Sequence, residues 1–269
     1  TQVTVAGEGG LRALVALSRC EDLELRILAA GALRHLSLNT RVKRPMVEEG
    51  ALGSILRCID EGSDSLDLLC QCAGTISNLA EDARNQVTLV KDNIMPRLII
   101  LSGVDEEGVR VDVSRAYASI SSNAQCQVGV FNADDLRAIF SLAGSAEEKC
   151  VRDAAITLGN LAVVTRNQQA IADAGGFPPL VAILSGNPYV SCQKFAARAL
   201  YRLAAHAGNK PTIVAEGALP PLVRRLRSPD AEVARFSAMT LCNLSTHADC
   251  KSTLVSLHGL PPLIEMLEG

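Results

Sequence analysis

Few side chains of this 269-residue chain are spaced for catalysis or metal binding. The four histidines, His35, His206, His247 and His258, fall in segments far apart in sequence. No His-Glu-x-x-His, no Cys-x-x-Cys and no Gly-rich phosphate loop with its lysine occurs. Cys70 and Cys72 are two residues apart, which on a helix turns their sulfurs to different faces, a poor geometry for chelation. The nine cysteines are odd in number and scattered through apolar segments, unlike a short secreted disulfide framework. They read as reduced cytosolic thiols acting as small core residues. No enzyme, cofactor or metal centre is expected.

What the sequence does offer is a stripe of cations. Lys194, Arg198 and Arg202 recur every fourth residue, which places them on one face of a helix. Like charges so close cost about a few tenths of a kcal/mol per pair. A partner bearing carboxylates or phosphates would relieve that cost with charge-assisted hydrogen bonds. The alternative is a solvated basic face compensated by neighbouring Asp and Glu.

The elements that must position this stripe come from a repeat. Six segments share the pattern Ala/Ser-x-x-Leu/Ile/Tyr-x-x-Leu/Ile: Ala30-Leu33-Leu36, Ala73-Ile76-Leu79, Ser114-Tyr117-Ile120, Ala155-Leu158-Leu161, Ala197-Leu200-Leu203 and Ala238-Leu241-Leu244. Their first members are 43, 41, 41, 42 and 41 residues apart. The i, i+3, i+6 spacing is one broad helix face, and its small first residue allows close helix packing. Arg152 and Arg235 occupy the Lys194 position in the flanking repeats, and Arg115 occupies the Arg198 position.

A second column holds Gly9, Gly50, Asn93, Asp134, Gly175, Gly217 and His258. Gly takes positive φ freely, and Asn, Asp and His tolerate it best among the rest, so one left-handed corner between two helices accounts for all seven. Pro96, Pro178, Pro179, Pro220, Pro221, Pro261 and Pro262 follow in the first turn of the next helix, where a missing N–H costs nothing. Gly62-Ser63-Asp64, Asn187-Pro188 and Ser228-Pro229-Asp230 mark a further turn with N-cap chemistry. Each repeat is therefore a short helix, a corner, a middle helix, a turn and a long final helix.

The run from Ile213 to Val223, then Ser228-Pro229-Asp230, then Ala238 to Leu244, resembles the armadillo repeat consensus, and Asn167 to Leu203 is similar. A period near 41 lies within the roughly 40–47 residues of helical HEAT and armadillo repeats, and HEAT repeats lack the glycine corner. The resemblance implies an all-α, right-handed α-solenoid of about six to seven repeats of three helices each. A single solenoid over 1–269 is expected, with repeats at approximately 1–40 (partial), 41–82, 83–123, 124–164, 165–206, 207–247 and 248–269 (partial). Thr1 to Ala6 is short for a first helix, and the last repeat ends before a final helix, so the chain reads as part of a longer array.

In armadillo stacks the final helices line a concave groove. The resemblance places His35, Asn78, Ser119, Asn160, Arg202 and Asn243 on it. In peptide-binding members this column carries asparagines that bond the partner's main chain, a task suited to a carboxamide's donor and acceptor. That role carries over to Asn78, Asn160 and Asn243; the alternative is that Asn satisfies local helix ends. Import receptors of the family carry tryptophans one turn earlier, where this chain has Gly31, Gly74, Arg115, Ile156, Arg198 and Met239.

Composition agrees with such a stack: 48% apolar but 3% aromatic, without tryptophan. The charge of −3 hides a net of −5 over residues 1–134 and +2 over 135–269. Uniformly basic nucleic-acid binders are excluded by this balance, and disordered chains by the hydrophobicity. No apolar run approaches the roughly 18 residues of a membrane span, and no targeting leader is read at Thr1.

The expected function is a non-catalytic scaffold or adaptor, cytoplasmic or peripheral to an organelle membrane, in the style of catenin-like adaptors or of vacuolar and organelle armadillo scaffolds. It would grip an extended acidic or phosphorylated protein segment through Arg115, Arg152, Lys194, Arg198, Arg202 and Arg235, with no nucleic acid and no membrane insertion. The alternatives are an import-type receptor for basic peptides and a regulatory array binding a small anion.

Overall fold

The computed structural model describes residues 2–61 and 64–268, with side chains at all of these except 248, 249 and 266–268. Every regular element among the described residues is helical. The helices run α1 (Gln2–Gly7), α2 (Gly10–Leu17), α3 (Leu23–Ser37), α4 (Thr40–Glu48), α5 (Ala51–Glu61), α6 (Leu66–Ala80), α7 (Ala83–Lys91), α8 (Met95–Ser102), α9 (Glu107–Ser122) and α10 (Ala133–Ala143). They continue as α11 (Glu148–Leu161), α12 (Thr165–Asp173), α13 (Phe177–Gly186), α14 (Val190–Leu203), α15 (Lys210–Ala215), α16 (Leu219–Arg225), α17 (Ala231–Leu244), α18 (Ala248–Ser256) and α19 (Leu260–Glu268). Ala124–Cys126 and Ala207–Asn209 are 3-10 turns. Two compact units result, Thr1–Ala138 and Ile139–Gly269, and the division falls inside α10.

In the first unit α3, α6 and α9 stack on one another; in the second α11, α14 and α17 do so. This is the α-solenoid arrangement, in which each long helix buries its apolar stripe against its neighbours. The repeated small-x-x-large-x-x-large positions are that stripe: all are buried except Ala238, which is partly exposed. Tyr117 and Phe177 are the largest fully buried side chains. At roughly 25 cal/mol per Å² of apolar surface, burial of one Leu is worth about 2 kcal/mol, and the stripe supplies several per helix.

The corners form by one mechanism. Gly9, Gly50, Gly175 and Gly217 have φ of 83°, 80°, 86° and 75°, and Asn93 and His258 have 61° and 53°. The left-handed residue lets the next amide reach back to an orphan carbonyl: Gly176 N donates to Ile171 O at 2.9 Å, and Ile94 N to Leu89 O at 3.1 Å. The seven expected prolines all fall in the first turn of α8, α13, α16 or α19. Asp230 caps α17, accepting from Glu232 N and Val233 N at 3.0 Å each. Asn187 Oδ1 accepts from Tyr189 N ahead of α14. Of the expected Gly62-Ser63-Asp64 turn, Gly62 and Ser63 lie outside the described residues, and the cap of α6 is Ser65.

Asp134 does not take the corner expected of it. It lies in the first turn of α10, where Asn132 Oδ1 accepts from Asp134 N and Asp135 N at 2.7 and 3.1 Å while Asp135 Oδ2 accepts from Asn132 N. That reciprocal cap, and the affinity of carboxylates for helix N-termini, outweigh aspartate's tolerance of left-handed backbone. The positive φ moves to Gly129, at 72°. Upstream, a short 3-10 turn replaces the first helix, with Cys126 where its counterparts have Asn85 and Asn167. A glutamine column survives even there. Gln86, Gln127 and Gln168, 41 residues apart, each donate to the carbonyl six residues earlier, tying each repeat to the end of the preceding long helix.

Candidate partner-binding face

The α11–α14–α17 stack of the second compact unit carries most of the expected cations. Three of them have carboxylate partners. Arg152 Nε lies 2.9 Å from Asp153 Oδ1, and that bond holds the guanidinium pKa above its ordinary value. Lys194 Nζ is 3.1 Å from Glu232 Oε2, and Arg235 Nη2 is 3.5 Å from Glu232 Oε1, so one acid on α17 serves two bases.

Arg198 and Arg202 differ. Neither has a carboxylate partner among the described residues. Arg198 Nη2 donates to Asn160 Oδ1 at 3.4 Å, and its Nε is buried without a hydrogen-bond partner among the described residues. Arg202 Nη1 donates to Gly159 O, a neutral acceptor. Burial, and then the Arg198 charge, push the Arg202 pKa below that of an ordinary guanidinium.

The repeat register shows why. Arg115, at the Arg198 position, has Asp112 three residues before it, and the two form an ion pair at 3.7 Å. In the next repeat the corresponding residue is Asp153. In the following two it is Phe195 and Phe236. The acid column thus turns aromatic where the unpaired arginines stand. Lys194 and Arg198 lie over the Phe195 ring at 5.2 and 5.3 Å from its centroid, and Arg235 over Phe236 at 4.9 Å. Tyr201 packs on Phe236 with centroids 6.0 Å apart. A ring beneath a guanidinium holds its plane without neutralising it, so it remains free to take an anion on its edge.

The asparagines face their neighbouring helices. Asn78 is 6% exposed and donates to Ser37 Oγ at 2.9 Å. Asn243 Nδ2 donates to Tyr201 O at 3.3 Å, and Asn160 accepts from Arg198. Asn160 and Asn243 remain partly exposed. In the first unit, His35 is exposed at the edge of an apolar cavity of about 400 Å³ lined by Val5, Leu14 and Leu36. Ser119 is partly exposed on α9. His35, Asn78, Arg115 and Ser119 thus belong to one compact unit and the other seven expected residues to the second.

Two features escaped the sequence reading. Phe195 and Phe236 are 41 residues apart in one register, a signal available in the sequence but outside the column searched for aromatics. Glu232 lies one repeat beyond the Lys194 stripe it compensates, and its role is visible only once α14 and α17 are packed. Among the described residues no group of three or more His, Cys, Asp or Glu could hold a metal, and no cysteine forms a disulfide. No described helix is long and apolar enough to cross a membrane.

Comparison with known proteins accords with this geometry. The armadillo/β-catenin-like repeat profile matches residues 39–81, 165–205 and 206–246. The human armadillo repeat-containing protein 3 is 27% identical over 165 residues, which is 61% of this chain and 18% of that protein, so the chain spans about a fifth of that relative. An engineered protein of known structure superposes with a TM-score of 0.86 at 25% identity, over 99% of this chain and 66% of that one. A designed armadillo repeat protein solved in complex with the peptide (KR)4 superposes with a TM-score of 0.71 at 21% identity, over 87% of this chain and 99% of that one. The chain therefore contains armadillo repeats, at residues 39–81, 165–205 and 206–246.

Proposed function

We propose that the chain is a non-catalytic interaction scaffold whose long helices bind an extended protein segment bearing carboxylates or phosphates. The observation that carries this reading is the pair Arg198 and Arg202, two half-buried guanidiniums with only neutral acceptors, Phe195 standing where Arg198 would have its internal counter-ion. Unpaired charges on a partly desolvated face are costly, and an incoming anion converts that cost into affinity. Arg152, Lys194 and Arg235 add long-range attraction, while Asn160 and Asn243 offer amides to the partner's main chain. Arg115, His35, Asn78 and Ser119 occupy the same register in the first unit and would contact a different part of the partner.

The peptide (KR)4 bound by the designed relative suggests the opposite preference. Here Arg198 and Arg202 would meet such a peptide with like charge. A pull-down from lysate with wild-type protein and the R198E/R202E variant tests the proposal. Loss of acidic or phosphorylated partners from the variant is expected; an unchanged partner list, identified by mass spectrometry, refutes it.

A further inference from the structure

The first compact unit holds a second pair of arginines on its long-helix face, and these are not free. Arg34, on α3, extends across α6 to α9. Its Nη1 donates to Cys70 O at 3.3 Å, and its Nη2 reaches Asp112 Oδ2 at 3.4 Å, 78 residues away in sequence. Arg115 approaches the other oxygen, Asp112 Oδ1, at 3.7 Å. The crossing is possible because residue 74 is glycine: a Cβ there would lie 2.2 Å from Arg34 Nε and 2.6 Å from Arg34 Cζ.

The three groups are unequally placed. The Asp112 side chain is 11% exposed, whereas those of Arg34 and Arg115 are 40% and 37% exposed. A nearly buried carboxylate is therefore held by two solvent-facing guanidiniums at long ion-pair distances. Arginine N–H groups prefer carboxylate and phosphate oxygens at about 2.7–2.9 Å. Each guanidinium retains donors that Asp112 does not use, since each carries five N–H bonds.

We propose that Arg34 and Arg115 form an oxyanion site on the first unit that Asp112 occupies as an internal ligand. A carboxylate or phosphate on a partner peptide enters by displacing the Asp112 side chain. The inference goes beyond the Arg198–Arg202 reading and shares with it only the idea that the long-helix face meets the partner. The same column that lacks an acid at Phe195 supplies one here, so the two units offer one open and one self-occupied anion site.

The test removes the first site and opens the second. In the full chain carrying R198E/R202E, a fluorescein-labelled acidic peptide with two phosphoserines should bind weakly by anisotropy. Adding Asp112→Asn should tighten binding by about tenfold or more, the effect of roughly one charge-assisted hydrogen bond. Adding Arg34→Ala should abolish the gain, and inorganic phosphate should compete with the peptide. No gain in a D112N protein of unchanged melting temperature overturns the proposal, as does a gain that phosphate leaves intact. Equal binding by wild type and R198E/R202E would instead refute the Arg198–Arg202 site, whatever D112N does. Should D112N fail to fold, the Arg34 Nε–H resonance of the wild-type protein provides the readout. A shift on titrating the phosphopeptide supports the site, and a resonance that does not move overturns it.

Discussion

Alanine substitution of the five cations on α11, α14 and α17, one at a time, should give a hierarchy rather than a uniform loss. Arg198 and Arg202 have only neutral acceptors, so a bound anion supplies charge-assisted hydrogen bonds that nothing internal replaces. Each such bond is worth about 1.5–3 kcal/mol, which corresponds to a loss of roughly tenfold to a hundredfold in affinity. Lys194 and Arg235 share Glu232, and Arg152 is held by Asp153. A partner can gain from these three only by competing with an existing ion pair, so their removal should cost about fivefold or less, in the range of exposed pairs. The assay is anisotropy of a labelled phosphoserine peptide against the five variants, repeated at two salt concentrations. Losses for Lys194→Ala and Arg235→Ala should shrink with salt, because exposed charges are screened within about 10 Å at 0.1 M. Losses of equal size for all five variants would refute the argument from pairing and leave only a diffuse basic face.

Two further outcomes test the fold and the first unit. Gly175 has φ 86° with nothing within 4 Å of an added Cβ, whereas Gly176 has ordinary φ but an added Cβ would meet Ile171 Cγ2 at 2.4 Å. Thermal melts should show G175A losing about 1–2 kcal/mol from backbone strain alone, and G176A losing more from steric overlap; the reverse order would contradict the corner geometry. Burial raises the Asp112 carboxyl above its ordinary pKa despite Arg34 and Arg115. Its raised folded-state pKa favours the folded protein when Asp112 is protonated, and this contribution fades as pH rises through the folded-state midpoint. The stability of D112N relative to wild type should therefore be more favourable at pH 7 than at pH 3, measured by urea unfolding; a pH-independent difference would contradict it.

The repeat was legible because it is written in the residues that the stack buries. Small-x-x-large-x-x-large positions and corner glycines recur at a fixed period since each repeat solves the same packing problem. Asp134 failed because aspartate suits two local roles, left-handed corner and helix N-terminus, and the period alone could not choose between them. The cation stripe was legible as a set, but its division into paired and unpaired members was not. That division depends on Glu232 meeting Lys194 across two helices, and on Phe195 standing where Asp112 and Asp153 stand elsewhere. The Arg34–Asp112 contact spans 78 residues, and glycine at 74 carries no sign in the sequence of the side chain that crosses it.

The central claim is that the missing counter-ion of Arg198 and Arg202 comes from the partner. Its most direct test is calorimetric titration of the intact chain with two peptides of equal length, one built of Glu and phosphoserine and one of Lys and Arg. Saturable binding of the acidic peptide, weakened by about tenfold or more in R198E/R202E, with no binding of the basic one, is the predicted result. Tight binding of the Lys/Arg peptide, or acidic-peptide binding that R198E/R202E leaves unchanged, would contradict it.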